Sequence, residues 1–194
     1  MTATTLHTGR LVLTPEDPYQ IPENQSSLFQ YLQEIGFIAE GLETEGEKFL
    51  LGERFFQLVS FMGCSPNIQL EPNSAGEPFC HLIVSGPDPL PQFLKGRNTT
   101  PPRCEQCKKR LPDWQSTIQA WKENPHQFMA TCTHCSHQQN PASYNWRQSA
   151  GSGRFMLLVE NIFPQEAIPS TELLKALQTT TRNKSWHYFY VQDD

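Results

Sequence analysis

Cys104 and Cys107 are separated by two residues, as are Cys132 and Cys135, and 24 residues lie between the pairs. Two residues between cysteines let a tight turn aim both sulfurs at one point. A second such turn supplies the opposite edge of the tetrahedron that a zinc ion accepts. The spacing therefore predicts a four-sulfur zinc site made by Cys104, Cys107, Cys132 and Cys135. A site with four protein ligands has no open position for water or substrate, so its contribution is to fold a segment too small to hold together by burial. Two alternatives stay open. Either pair could do redox chemistry or form a disulfide, but Pro101 and Pro102 before Cys104 and Pro112 after it are a poor context for a redox C-x-x-C, which follows a strand and opens a helix. His134 or His137 could replace one cysteine. With four cysteines present, both are expected as exposed loop residues or as donors to the ligands.

With these pairs and this spacing, residues 99–150 resemble the zinc-ribbon family, over about a quarter of the chain. The resemblance implies a small ribbon closed by one zinc ion. The sequence departs from the family at the residue after each knuckle, where Lys108 and Ser136 stand in place of glycine.

Lys95, Arg97, Arg103, Lys108, Lys109 and Arg110 place six of the 15 cations within 16 residues, against only Glu105. Residues 1–94 carry three cations and 12 acids, so the chain is electrically polarised. Four thiolates around one divalent zinc leave a charge of about -2, and nearby cations relieve it without any partner. The same flank, with Trp114 and Trp121 beside it, is also a candidate contact surface for a protein or a nucleic acid, although tryptophans in a ribbon are equally material for its own small core or for docking it onto the host. The net charge of -5 argues against a protein that coats nucleic acid or anionic membrane with its whole surface.

The remaining candidates are thiols outside the pairs. Cys64 with His81 could form a nucleophilic dyad if their strands are neighbours, whereas Cys80 and the adjacent His81 point to opposite faces of a strand. Buried packing is the expected role of Cys64 and Cys80. Phosphate-cradling glycine loops, a G-x-S-x-G elbow and an H-E-x-x-H helix are missing from the sequence.

Around these residues the chain reads as an α+β host, residues 1–98 and 151–194, interrupted by the insert of residues 99–150. Leu28, Leu32 and Ile35 recur at helical spacing, with Ser26 or Ser27 as the cap and Gly36 as the stop. Residues 55–62, 79–85, 154–162 and 186–191 read as strands, and Ser170 caps a helix carrying Leu173, Leu174 and Leu177. Gly86, Pro87, Pro89 and Pro91 break the strand pattern, and Pro101 with Pro102 opens a segment of different composition that lasts until Gly151, Ser152 and Gly153. A mixed or antiparallel sheet covered by two helices on one face follows, with a ferredoxin-like arrangement as one form of it. The first 15 residues lack a signal-peptide core, and Glu53, Arg54 and Gln57 break the greasiest run. The expectation is a cytoplasmic protein without a membrane span. Together these features predict a non-catalytic zinc-binding interaction or regulatory module that docks a protein. Nucleic-acid binding through the basic flank and a thiol enzyme at Cys64 are the alternatives.

Overall fold

A computed structural model describes residues 9–42, 47–62, 68–163, 165–182 and 185–193. In chain order the elements are β1 (Gly9–Pro15), α1 (Gln25–Glu34), β2 (Ile38–Gly41), β3 (Lys48–Leu51), α2 (Phe55–Leu58), β4 (Val59–Phe61), β5 (His81–Ser85) and β6 (Gln92–Lys95). They continue with α3 (Trp114–Glu123), β7 (Ala130–Thr131), β8 (Gln138–Gln139), a 3-10 turn (Pro141–Ser143), β9 (Ala150–Gly153), β10 (Met156–Ile162), β11 (Ala167–Pro169), α4 (Thr171–Thr181) and β12 (Trp186–Gln192).

The main sheet has the order β12-β1-β10-β5-β3-β2, and each neighbouring pair is antiparallel. Successive residues of a strand face opposite sides. Leu11 and Leu13 of β1 therefore join Leu157, Val159 and Leu82 beneath α1 and α4, which contribute Leu28, Leu32, Leu173 and Leu177. Val12, Met156, Leu158, Phe189 and Val191 form a second, smaller core on the opposite face, with Leu94 of β6 packed against it. Each such side chain, fully buried, stabilises by roughly 1.5–3 kcal/mol. The fold is thus α+β, with two helices packed on one face of a large antiparallel sheet. No helix among the described residues is long and apolar enough to cross a membrane.

Several local expectations change. Asn24, not Ser26 or Ser27, caps α1, its Oδ1 accepting from the Ser27 N–H at 3.0 Å. Gly36 follows the helix at φ +72, a left-handed conformation that favours glycine. Residues 55–62 do not form one strand: a helical turn, α2, precedes the short β4, because Phe55 and Leu58 bury at helical spacing. The Gly151, Ser152, Gly153 run is not a break but most of strand β9, paired with β6. Its glycines serve close approach. A Cβ on Gly151 would lie 2.4 Å from the Phe189 ring, and one on Gly153 would lie 2.4 Å from Thr14 Oγ1.

Candidate metal centre

Each cysteine pair sits on a turn built by the same backbone bonds. In the first, Cys104 N–H donates to Lys109 O at 2.9 Å and Lys108 N–H donates to Cys104 O at 3.0 Å. In the second, Cys132 N–H donates to His137 O at 2.8 Å and Ser136 N–H to Cys132 O at 2.9 Å. Lys108 and Ser136 take φ of 61 and 59, so these two side-chain residues adopt the left-handed turn for which glycine is better suited. The knuckle forms despite the missing glycine.

The two turns face each other. Cys104 Sγ lies 3.7 Å from Cys135 Sγ, and Cys107 Sγ lies 3.8 Å from Cys132 Sγ. All four sulfurs fall within 4.8 Å of one another. A tetrahedron with metal–sulfur bonds of about 2.3 Å has edges of about 3.8 Å, so the group has the dimensions of a four-thiolate metal cage. A disulfide would require sulfurs about 2.05 Å apart. The four cysteines together could hold one metal ion.

Backbone dipoles also suit thiolates. His134 N–H approaches Cys132 Sγ at 3.4 Å. Burial raises the Cys104 thiol, but hydrogen bonds from the N–H groups of Cys107 and Gln106 and from the Cys135 and Cys107 thiols together bring it down to about 6. The His137 N–H lowers Cys135, yet burial and the three other thiols push it up to about 12, since four clustered sulfurs cannot all ionise without a cation among them. His134 and His137 thus lend backbone groups, and neither ring belongs to the sulfur cluster.

Gln139, which the sequence did not single out, ties the turns together: its Oε1 accepts from the Glu105 N–H at 3.0 Å across the site. The hairpin of β7 and β8 carries the second turn, and an antiparallel bridge between Arg103 and Arg110 carries the first. Between the turns, α3 places Trp114, Ile118 and Trp121 on one face, where they pack with Tyr144 and Trp146. Trp114 and Trp121, expected at a contact surface, are therefore corrected to core residues, 7% and 1% exposed. Trp121 Nε1 donates to Pro125 O at 3.2 Å. Their spacing of four and three residues around Ile118 is the helical signal that would have found them.

The basic flank divides. Arg103 Nη1 donates to Lys108 O at 2.7 Å, the Lys108 ammonium donates to Glu105 O, and Lys95 Nζ lies 5.9 Å from the centre of the Trp114 ring. Arg97, Lys109 and Arg110 are exposed, and their side chains have no ion-pair partner among the described residues.

Residues 99–150 are tied to the segment after β1 at Tyr19, whose hydroxyl donates to Pro125 O at 2.6 Å and accepts from Asn140 Nδ2 at 2.8 Å. Of the other thiols, Cys64 lies outside the described residues, so the dyad with His81 is not placed. Cys80 is buried in the main core, and burial, with the Glu160 charge, pushes it up to about 12. His81 Nδ1 is 2.9 Å from Phe79 O.

No protein-family model matches the chain, and no curated protein or solved structure matches it either.

Proposed function

We propose that the protein is a non-catalytic docking module in which a zinc ion, held by Cys104, Cys107, Cys132 and Cys135, folds a ribbon-like insert onto an α+β host. The observation that carries the reading is the pair of sulfur separations, 3.7 and 3.8 Å, which suits the edges of a zinc tetrathiolate. Zinc bound there supplies no reactive position, only a cross-link between two turns. Arg103 and Lys108 offset part of the charge of about -2 that four thiolates and one divalent ion leave. The exposed Arg97, Lys109 and Arg110 remain for a partner, and we assign them to an acidic protein surface. Nucleic acid is the lesser reading, because the tryptophans that would stack on bases lie inside the insert. For the host we favour a ferredoxin-like arrangement. In support, β12-β1-β10-β5 run antiparallel, α1 lies between β1 and β5 in sequence, and α4 lies between β10 and β12. The cytosol is the compartment in which four free thiols are kept reduced for a metal.

Metal analysis of protein purified under reducing conditions tests the first half, with one zinc per chain expected. Absence of stoichiometric metal overturns it. Charge reversal at Arg97, Lys109 and Arg110 tests the second half: a copurifying protein should be released, while submicromolar RNA or DNA binding lost in the same variant would put nucleic acid first.

A further inference from the structure

Strand β12 lies at the rim of the main sheet, with β1 on one side only. The direction of its backbone groups follows from the bonds at its two ends. Glu16 N–H donates to Ser185 O, so odd-numbered residues of this stretch face β1. Tyr190 N–H donates to Gln148 O, Tyr190 O accepts from Asn98 Nδ2, Gln192 N–H donates to Asn98 Oδ1, and Gln192 O accepts from Arg97 N–H. Even-numbered residues therefore face outward, and the chain's own Gln148, Asn98 and Arg97 close the C-terminal half of this rim. By the same alternation the N–H and C=O of Trp186 and Tyr188 also point outward. Among the described residues no backbone partner is seen for them on that side.

Trp186 and Tyr188 are among the residues that line a groove of about 670 Å³, together with Gly151 and Ser152 of β9, Asn145, Arg147 and Lys108 of the first cysteine turn. The volume is that of a site for a small ligand or a short peptide. Unpaired strand edges take up extended chains, because only an extended backbone satisfies donors and acceptors at the strand repeat. We infer that this groove receives a short extended segment of a partner protein, which adds to the sheet along Trp186 and Tyr188 and is held between the host and the metal-bearing insert. The inference deepens the docking reading and rests on it. A second copy of this chain is disfavoured as the occupant, since Gln148, Asn98 and Arg97 already occupy the rest of the edge and a full strand cannot run along it. The lining charges, Glu16 and Glu105 against Lys108 and Arg147, are balanced, so the segment is one of low net charge.

The test is selection of random decapeptides displayed on phage against the full, metal-loaded chain, followed by amide hydrogen exchange with a selected synthetic peptide. In the free protein the Trp186 and Tyr188 amides should exchange faster than those of His187 and Phe189, which face β1. Bound peptide should slow them at least tenfold. Tyr188→Pro removes one outward donor at an edge position where proline is tolerated, and should weaken binding at least tenfold. Tyr188→Ala removes the same ring but keeps the N–H, so it should bind at least tenfold tighter than Tyr188→Pro. The inference is overturned if no peptide is selected, if bound peptides leave both amides unchanged, or if the two variants bind alike. Should charge reversal at Lys109 and Arg110 release a copurifying protein that Tyr188→Pro retains, strand addition falls while the docking reading stands.

Discussion

The main-sheet region and residues 99–150 fill their interiors to very different extents. Among the described residues, the core under α1 and α4 gathers 21 buried side chains, drawn from β1, β10, β5 and β12 as well as both helices. Residues 99–150 gather eight around Trp114, Trp121 and Trp146, and about two thirds of that segment lies outside strands and helices. Burial of the first kind can offset the conformational entropy of the chain it orders, whereas a core of eight cannot do so alone for some fifty residues. On the proposed reading the two cysteine turns are the compensation, since a metal held there would cross-link residues 25 to 31 positions apart in the chain. On that reading one chain would use hydrophobic burial where it has a sheet to cover and metal ligation where it has not.

The sharpest way to break this contrast is to remove one ligand. Cys132→Ser, or removal of metal with a chelator, should abolish amide protection across β7, β8 and α3 while Leu11, Leu13 and Leu158 in the sheet stay protected. Structural zinc in isolated finger peptides is worth about 10–16 kcal/mol, far more than the insert's packing can replace. Hydrogen exchange resolved by residue checks it, and equal loss in both regions would show that the host depends on the metal too.

Smaller but still large effects are expected from the cores themselves. Trp121→Ala, which empties the centre of the insert, should destabilise by about 3–5 kcal/mol, similar to Leu→Ala in the sheet. With metal bound, however, the loss should appear as local opening of α3, not as a drop in the thermal midpoint of the host. Denaturation followed by tryptophan fluorescence and by exchange separates the two.

The clamp between the regions is weaker. Tyr19→Phe removes the hydroxyl that joins Pro125 O to Asn140 Nδ2, while Pro125 O keeps its bond from Trp121 Nε1, and should cost about 0.5–1.5 kcal/mol. The coupling is then visible as a widened gap between the exchange rates of the insert and those of the sheet. At the small end, Ser136→Gly should stabilise the second turn by about 0.5–1 kcal/mol, because φ near 59 is strained for serine and free for glycine. Competition against a metallochromic chelator should show tighter metal retention, and weaker retention would mean that the serine hydroxyl supports the turn.

What could be read in advance was whatever a few consecutive residues decide. The C-x-x-C turns are closed by bonds spanning four or five residues, so the ligand set of Cys104, Cys107, Cys132 and Cys135 was legible from spacing, as was the Ser170 cap, whose hydroxyl accepts from Leu173 N–H three residues on. The two helices on one face were legible because Leu28, Leu32, Leu173 and Leu177 repeat at helical spacing. Residues whose roles arise across long separations stayed hidden. Tyr19 meets Pro125 and Asn140 more than a hundred positions away, Gln139 reaches Glu105 across the metal turns, and Gly151 is required only by the Phe189 ring beneath it. Trp114 and Trp121, for which a basic run left both a core and a contact role open, are turned inward by α3. The sequence determined which atoms can bind a metal, because that is local stereochemistry. Only the tertiary structure decided that the two turns meet, which cations are already engaged, and which stretch of β12 is left without a neighbour, because each depends on segments that the chain brings together only on folding.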